Sequence, residues 1–133
     1  MIVDSSAFIA ILFDEPDAQA LLSQIAAAEI CRLSAASLVE IGIVLRRDAA
    51  LRRRAAFDEM LRLFSIRIEP VTEEQAYLAL DAYDQFGKGT GHPAGLNYGD
   101  CFSYALAKQT GEPLLFKGND FIHTDLEPAI PAP

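Results

Sequence analysis

The chain has 133 residues, 51% of them hydrophobic, which predicts a single domain with a substantial core and argues against disorder. Its formal net charge of −8 argues against a general nucleic-acid coat, because binding to phosphates draws on Lys and Arg. The longest nearly apolar stretch, residues 34–45, is too short to span a bilayer, and no basic leader precedes the apolar opening, so we expect a soluble cytoplasmic protein without membrane contact.

The first part of the chain alternates between a strand and two helices. Residues 1–3 predict a short buried strand that ends at Asp4. Apolar residues at 8–13 predict a short helix. The acids and the proline of residues 14–17 are typical of a helical first turn, which predicts a second helix from there to about Ala28.

A second strand is predicted at residues 30–33. The helix that follows can be capped by Ser34 or Ser37, and it carries Glu40 before it ends near Arg47. Because Glu40 interrupts an otherwise apolar sequence, this helix needs an explanation for a carboxylate beside the core.

The middle of the chain predicts two further helices with a strand between them. Residues 49–64 predict an amphipathic helix with arginines opposite its apolar face. Residues 66–71 alternate like a strand and stop at a proline. The sequence Thr-Glu-Glu-Gln at residues 72–75 matches a capping box for a helix that continues to Phe86.

The last part begins with a glycine-rich loop at residues 87–95. Asn97 can cap a helix over residues 98–109, and Gly111 ends that helix. A strand is predicted at residues 114–116, followed by a Gly-Asn-Asp turn.

Strands that alternate with helices predict an α/β fold, with a mostly parallel central sheet of four to five short strands and helices on both faces. No repeat or linker is evident, so residues 1–133 are predicted to be one domain, with a loose proline-rich tail from about residue 129. Cys31 and Cys101 lie far apart without metal-site spacing, which favours buried free thiols in a reducing compartment.

Four carboxylates lie inside or beside apolar segments: Asp4, Glu40, Asp100 and Asp120. Burying an unpaired charge costs on the order of several kcal/mol, and the chain has only two histidines and few lysines to pair with these acids. In parallel sheets, ligands bind beyond the carboxyl ends of the strands, and Asp4 and Asp120 each follow a predicted strand. A divalent cation, which prefers oxygen ligands, explains the set.

Each carboxylate also has a simpler explanation. Asp4 and Asp100 could each serve in the cap of a helix. Asp120 could be a turn former. Glu40 could pair with an arginine at the end of its own helix. Only the joint occurrence of the four acids favours a metal site.

Seven of the eleven basic residues lie between residues 46 and 67. A solvated helical face explains this concentration, and a patch that contacts a nucleic-acid backbone is the alternative.

Four sequence blocks contain the four carboxylates, and they lie at residues 2–7, 37–40, 96–107 and 114–121. The blocks Asn-Tyr-Gly-Asp-Cys and Lys-Gly-Asn-Asp-Phe are the most specific parts. In order and spacing, over nearly the whole chain, they resemble the PIN-domain ribonucleases and above all the VapC toxins of bacterial VapBC toxin–antitoxin pairs.

This resemblance implies a metal-dependent endoribonuclease that arrests growth and leaves 5′-phosphate and 3′-hydroxyl ends. The acidic residues of the family map onto the four carboxylates. Asp4 and Asp100 would bind Mg²⁺ directly, with Mn²⁺ as the possible substitute, and Glu40 and Asp120 would complete the site directly or through water. The hydroxyl and the polar helper of the family map onto Ser5 or Ser6 and onto Asn119.

The resemblance also implies partners: an RNA substrate, a VapB-type antitoxin that wraps apolar helices, and a second copy of the chain in a homodimer. RNA specificity would come from the loop at residues 87–95 and from the arginine segment. The arginines proposed to contact RNA are Arg46, Arg47, Arg52 and Arg53. The antitoxin candidates are Phe8, Ile11, Leu12, Phe13 and Leu22, about half of which are expected in the core. A basic side chain of the antitoxin would inhibit by entering the acidic site.

Other functions fit parts of the pattern. A phosphoaspartyl phosphatase of the haloacid dehalogenase type would use Asp4 after the first strand, but it needs a second Asp two residues later, where Ser6 stands. A response-regulator receiver needs an early pair of acids. A non-catalytic module, whose carboxylates hold a structural ion or a basic partner, stays open.

Overall fold

The structure, a computed structural model, describes residues 1–48 and 51–132. Within these residues, four strands form one parallel sheet in the order β3-β2-β1-β4: β1 Ile2–Val3, β2 Arg32–Ser34, β3 Arg67–Glu69 and β4 Leu114–Leu115. The helices are α1 Ser5–Leu12, α2 Ala18–Ala27, α3 Ala35–Leu45, α4 Arg52–Leu63, α5 Glu73–Phe86 and α6 Tyr98–Thr110, with a 3₁₀ turn at Phe121–His123. The predicted α/β fold with a parallel sheet is confirmed.

The central strand β1 sets where its neighbours end. Ile2 pairs with Arg32 of β2 on one side and with Leu114 of β4 on the other. Because these strands run parallel, their carboxyl ends lie at the same edge of the sheet. The residues that follow β1 and β4 therefore leave the sheet side by side.

The two residues of β1 face opposite sides of the sheet, as successive residues of a strand do. Val3 packs in a core with residues of α1 to α4, where the rings of Phe8 and Phe57 meet edge to face at 5.3 Å. Ile2 packs in a second core with α5 and α6. Helices therefore cover both faces, as predicted.

Three helices begin later or earlier than the sequence predicts. Helix α1 begins at Ser5, before the apolar residues that predicted it, because the Asp4 side chain caps it there. Helix α2 begins only at Ala18, since the acidic segment before it forms turns and Asp14 adopts a left-handed conformation with φ of 51°. Helix α4 begins at Arg52, and the first two residues predicted for it lie outside the described part of the chain.

The predicted capping box at residues 72–75 is half formed. The Thr72 hydroxyl accepts a hydrogen bond from the Gln75 N–H, as expected. The Gln75 amide, however, donates to Gln109 of α6 at 2.7 Å instead of returning to the cap. A tertiary contact between α5 and α6 replaces the local one.

The C-terminal tail runs beside β4. The Leu114 N–H donates to the Glu127 carbonyl at 2.9 Å, and the Ala129 N–H donates to the Leu114 carbonyl at 2.8 Å. These bonds fasten the chain to the sheet edge as far as residue 129. The looseness expected beyond that point stays a prediction.

Two further expectations can be compared with the structure. Cys31 and Cys101 are both free and buried, as predicted. None of the helices in the described residues has the length and apolar character that crossing a bilayer requires.

Candidate active site

A cleft of about 390 Å³ opens at the carboxyl ends of β1 and β4. All four predicted carboxylates line it, together with hydroxyls, an amide and one lysine. The polar lining residues are Asp4, Ser5, Ser6, Glu15, Glu40, Asn97, Asp100, Lys117 and Asp120. The fold thus collects at one edge of the sheet the acids of four separate sequence blocks.

Asp4 is held by two hydrogen bonds and is almost completely buried, with 1% of its surface exposed. It follows β1 and caps α1, because its Oδ2 accepts from the Ser6 N–H at 3.0 Å. Its Oδ1 accepts from the Ser103 hydroxyl of α6 at 2.5 Å. The capping explanation is therefore correct for one oxygen and leaves the other to a contact that only the tertiary structure provides.

Glu40 is held by a hydroxyl rather than by an arginine of its own helix. The Ser5 hydroxyl donates to Glu40 Oε1 at 2.5 Å, which joins α3 to the first turn of α1. The carboxylate lies against Gly99 of α6, where a Cβ atom would overlap Oε2. The missing side chain at Gly99 is thus what allows α6 to approach Glu40.

Asp100 completes a full capping box at the start of α6. Asn97 Oδ1 accepts from the Asp100 N–H, and Asp100 Oδ2 accepts from the Asn97 N–H, both at 2.9 Å. The pKa of Asp100 is raised from 3.8 to about 7. Burial is the largest cause, the Asn97 N–H lowers the pKa, and the charges of Asp4, Asp120 and Glu40 add to the rise. Three neighbouring carboxylates therefore act on Asp100, although the cap of α6 supports it.

Asp120 is the least constrained of the four. It is exposed and stands at the start of the 3₁₀ turn, where its side chain makes no capping hydrogen bond. The next residue, Phe121, is buried in the core beside α6 and fixes the backbone of this segment. Asp120 therefore has a fixed backbone and a carboxylate available to a ligand in the cleft.

Lys117 is the only basic residue among those that line the cleft, and the sequence argument assigned it no role. Its backbone N–H donates to the Ser6 hydroxyl at 3.0 Å, which ties the segment after β4 to the segment after β1. Its ammonium lies 2.6 Å from Glu15 and 3.3 Å from Asp17. The cation is thus paired with two other acids instead of with the four carboxylates.

Asn119 lies outside the cleft. It is exposed and lines a neighbouring, mostly apolar pocket of about 430 Å³, which residues of α2 and the tail also line. Ser5 and Ser6 are in the cleft and make the contacts described above, whereas the supporting role predicted for Asn119 has no counterpart in this geometry.

The residues predicted to contact RNA and antitoxin lie away from the cleft. None of the four arginines lines it, and neither does any residue of the loop at 87–95. Arg46, Arg47 and Arg52 are exposed, whereas Arg53 stacks over the ring of Phe13 at 4.2 Å and donates to a backbone carbonyl at the end of α1.

One of the antitoxin candidates, Phe8, is not at the surface. Phe8 is fully buried in the core, so it cannot contact a partner. Ile11, Leu12 and Leu22 are half-buried, and Phe13 is 38% exposed.

The donor set of the cleft consists of oxygens alone, which suits Mg²⁺ or Mn²⁺ and not zinc. Burial and the charges of three neighbouring carboxylates raise the pKa of Asp100, and a divalent cation beside these carboxylates would favour the ionised form. In residues 1–48 and 51–132, however, no three His, Cys, Asp or Glu side chains form a group arranged to hold a metal ion. The residues therefore fit the cation in their chemistry, while their side chains do not converge on a single point.

Comparison with known proteins identifies the family. The PIN domain matches residues 1–127. The ribonuclease VapC28 of Mycobacterium tuberculosis is 57% identical over 132 residues, which cover 98% of both chains. The ribonuclease VapC42 of the same species is 45% identical over 129 residues, or 97% of this chain and 98% of the relative. The chain belongs to the PIN-domain family and to its VapC members.

Two solved structures share the fold. The M. tuberculosis toxin VapC20, described as cleaving the sarcin-ricin loop, superposes with a TM-score of 0.70 at 21% identity, over 94% of this chain and 95% of that one. A toxin–antitoxin complex from Klebsiella pneumoniae gives a TM-score of 0.66 at 14% identity, over 90% of this chain and 88% of that one. At these identities the likeness shows the common fold.

The raised pKa of Asp100 predicts that the metal-free protein loses stability as the pH rises. The folded state favours the neutral acid, so the stabilisation is present below the ordinary pKa of 3.8 and is lost as the pH rises through about 7. In EDTA, the melting temperature of the wild type should fall from about pH 5 to about pH 8 relative to that of Asp100→Asn, which stays neutral throughout. Parallel melting curves for the two proteins would contradict the prediction.

Proposed function

We propose that the chain is a Mg²⁺-dependent endoribonuclease, with Mn²⁺ as a possible substitute, and that it acts as a toxin neutralised by a cognate antitoxin. The observation that carries the proposal is the meeting of Asp4, Glu40, Asp100 and Asp120 in one cleft. The relatives at 57% and 45% identity that are named ribonucleases support the reaction class. The buried free thiols and the absence of a spanning helix in the described residues agree with a cytoplasmic location.

The carboxylates would divide the work of holding the cation. Hydrogen bonds hold Asp4 at the end of β1 and Asp100 in the first turn of α6. We therefore assign these two carboxylates direct contact with the ion. Glu40 and Asp120 complete the site directly or through water. When bound, the ion would activate water and stabilise negative charge on the phosphodiester.

The remaining residues prepare the cleft for an RNA strand. Ser5 orients Glu40 by its hydrogen bond, and Gly99 leaves room for that carboxylate. The ammonium of Lys117 stands at the same cleft, where it can meet a phosphate of the strand if it leaves Glu15. Exposed Arg46, Arg47 and Arg52 are our candidates for backbone contacts further from the cut.

A non-catalytic module is the competing function. Its carboxylates would hold a structural ion or a basic segment of a partner. The second of these agrees with the lack, among the described residues, of a group of acids arranged to hold a metal ion. The two functions differ in the fate of RNA, which decides between them. A phosphoaspartyl phosphatase stays disfavoured, because Ser6 occupies the position of the second Asp and binds the Lys117 N–H.

We propose that the antitoxin binds beside α1 and α2. Ile11 and Leu22 line a pocket of about 320 Å³ between these helices, and the exposed Phe13 lies at the end of α1. Glu15 lines both this pocket and the acidic cleft, so a bound segment could continue from one to the other. The toxin–antitoxin complex from Klebsiella pneumoniae, which shares the fold, supports a partner of this kind.

We also propose a homodimer, formed through an apolar surface on α3, α5 and α6. Two adjacent pockets on this surface share Tyr98 and Phe102, whose rings meet edge to face at 5.0 Å. The large exposed side chains that line these pockets are Val39, Ile43, Leu80, Tyr83 and Tyr98. Contiguous apolar surfaces of this kind mark interfaces between proteins.

Purified protein should cleave structured RNA in Mg²⁺ and should stop when EDTA is added. Asp100→Asn should lower the cleavage rate by about 100-fold or more, because loss of a metal ligand removes several kcal/mol of transition-state stabilisation. Asp58→Asn, an exposed acid of α4 paired with Arg54, is the matched control and should keep full activity. Cleavage that survives both EDTA and Asp100→Asn would point to a contaminant, and intact RNA with the wild type would favour the binding module.

Gly99→Ala should separate activity from stability. The new Cβ displaces the flexible end of Glu40 and costs the Ser5 hydrogen bond to its carboxylate. Such a bond contributes about 1.5–3 kcal/mol, and alanine in a helix offsets about 0.5–1 kcal/mol of this, so the free energy of unfolding should fall by about 0.5–2.5 kcal/mol. The cleavage rate should fall by about 100-fold, since a carboxylate moved by about 1 Å no longer fits the reaction geometry.

Gly42→Ala is the control for this substitution, because Gly42 lies on the same helix as Glu40. A Cβ atom at Gly42 would meet only Arg54 Nη1, at 3.4 Å. It should retain both activity and stability. Equal rates for the two variants, measured beside urea denaturation curves, would show that the Gly99–Glu40 contact is not needed.

The two partner surfaces should be separable by single charges. Phe13→Asp should prevent co-purification of the antitoxin and leave the oligomeric state unchanged, because it lies at the end of α1. Leu80→Asp, 60% exposed on α5, should yield a monomer that still binds antitoxin. Light scattering and pull-down measure the two properties, and each variant is the control for the other. A Phe13→Asp protein that binds antitoxin normally, or a dimeric Leu80→Asp protein, would refute the corresponding surface.

A further inference from the structure

Two buried serines form a hydrogen-bonded chain that ends on Asp4. Ser103 of α6 lies 2.5 Å from Asp4 Oδ1, and Ser37 of α3 lies 3.3 Å from the Ser103 hydroxyl. Ser37 and Ser103 are 2% and 1% exposed. This series of hydrogen bonds therefore runs inside the protein, from α3 through α6 to the end of β1.

The chemistry of the groups gives this chain a direction. A carboxylate only accepts hydrogen bonds, so the single proton of the Ser103 hydroxyl points to Asp4. Ser103 then has only lone pairs to offer to its other neighbour. Ser37 must donate to Ser103, and its role is to hold that hydroxyl in the orientation that faces Asp4.

The position of Ser103 couples two of the acids. Ser103 stands three residues after Asp100 on α6, and residues three apart lie on the same side of a helix. One helical turn thus carries one proposed metal ligand and the hydroxyl that binds another. This turn therefore links the position of the Asp4 carboxylate to that of Asp100.

We propose that Ser103 is a positioning residue that fixes the rotation of the Asp4 carboxylate toward the divalent cation, with Ser37 holding it in place. The torsion that rotates an aspartate carboxylate has broad minima, so the bond from the Ser6 N–H to Oδ2 leaves the plane of the carboxylate only partly fixed. The second bond, to Oδ1, fixes it. This inference rests on the proposed function for the identity of the cation.

A purely structural role would make a different prediction. A buried serine that merely fills space could be replaced by any residue of the same shape. A positioning residue, in contrast, needs its hydroxyl, because groups that orient a metal ligand typically contribute about 10-fold to 100-fold in affinity or activity.

Threonine and valine at position 103 separate these roles, because they have nearly the same shape and differ in the hydroxyl. Any strain from the added atoms is common to both. Ser103→Val should weaken Mn²⁺ binding, measured by calorimetry without RNA, by about 10-fold to 100-fold, and Ser103→Thr should restore most of it. The same pair should show a lower kcat for RNA cleavage with a nearly unchanged KM in Ser103→Val.

Two alanine variants extend the test. Ser103→Ala should match Ser103→Val, and Ser37→Ala should have a smaller effect, since the donor to Asp4 remains. Melting temperatures measured alongside show whether each variant is folded.

Equal Mn²⁺ affinities for the threonine and valine variants would overturn the inference, because the hydroxyl would then have no role. If the wild type binds Mn²⁺ and cleaves RNA and Ser103→Val does both equally well, the inference about Ser103 is overturned and the proposed function stands. A wild type that neither binds the ion nor cleaves RNA would overturn the proposed function, and the inference with it.

Discussion

The constraint on which the candidate site depends is the meeting of four carboxylates in one cleft at the carboxyl edge of a parallel sheet. Parallel strands bring their ends together, so acids that follow β1 and β4 must meet there. Burial and, to a smaller extent, the neighbouring charges raise the pKa of Asp100 to about 7, so this acid ionises less readily than a free one. A divalent cation in the cleft, as proposed above, would favour the ionised form of these acids.

The acids are held in place by neutral groups rather than by cations. Hydroxyls bind Asp4 and Glu40, and an asparagine completes the cap at Asp100. The one lysine of the cleft is paired with other acids. Neutral donors orient a carboxylate without cancelling its charge, so the negative field stays available to a metal ion or to a basic partner.

Much of the site could be predicted because its acids interrupt local patterns. Asp4 ends an apolar strand and Glu40 interrupts an apolar helix, so each is visible as a charge where the pattern asks for none. The asparagine cap was equally local. These features depend on neighbours in the sequence, and the sequence therefore contains them.

The rest could not be predicted, because it depends on contacts between segments distant in the chain. Gly99 matters only because Glu40 lies against it, and Ser103 only because β1 ends beside α6. The Gln75 side chain likewise donates to Gln109 instead of to its local cap, because α6 packs beside α5. Lys117 belongs to one of the specific sequence blocks and could have been noticed there. Its pairing with Glu15, however, could be seen only in the folded structure. The two residues of β1 pack in opposite cores immediately before Asp4. A packing defect in either core can therefore move Asp4. The rate of RNA cleavage should then fall even when the protein remains folded.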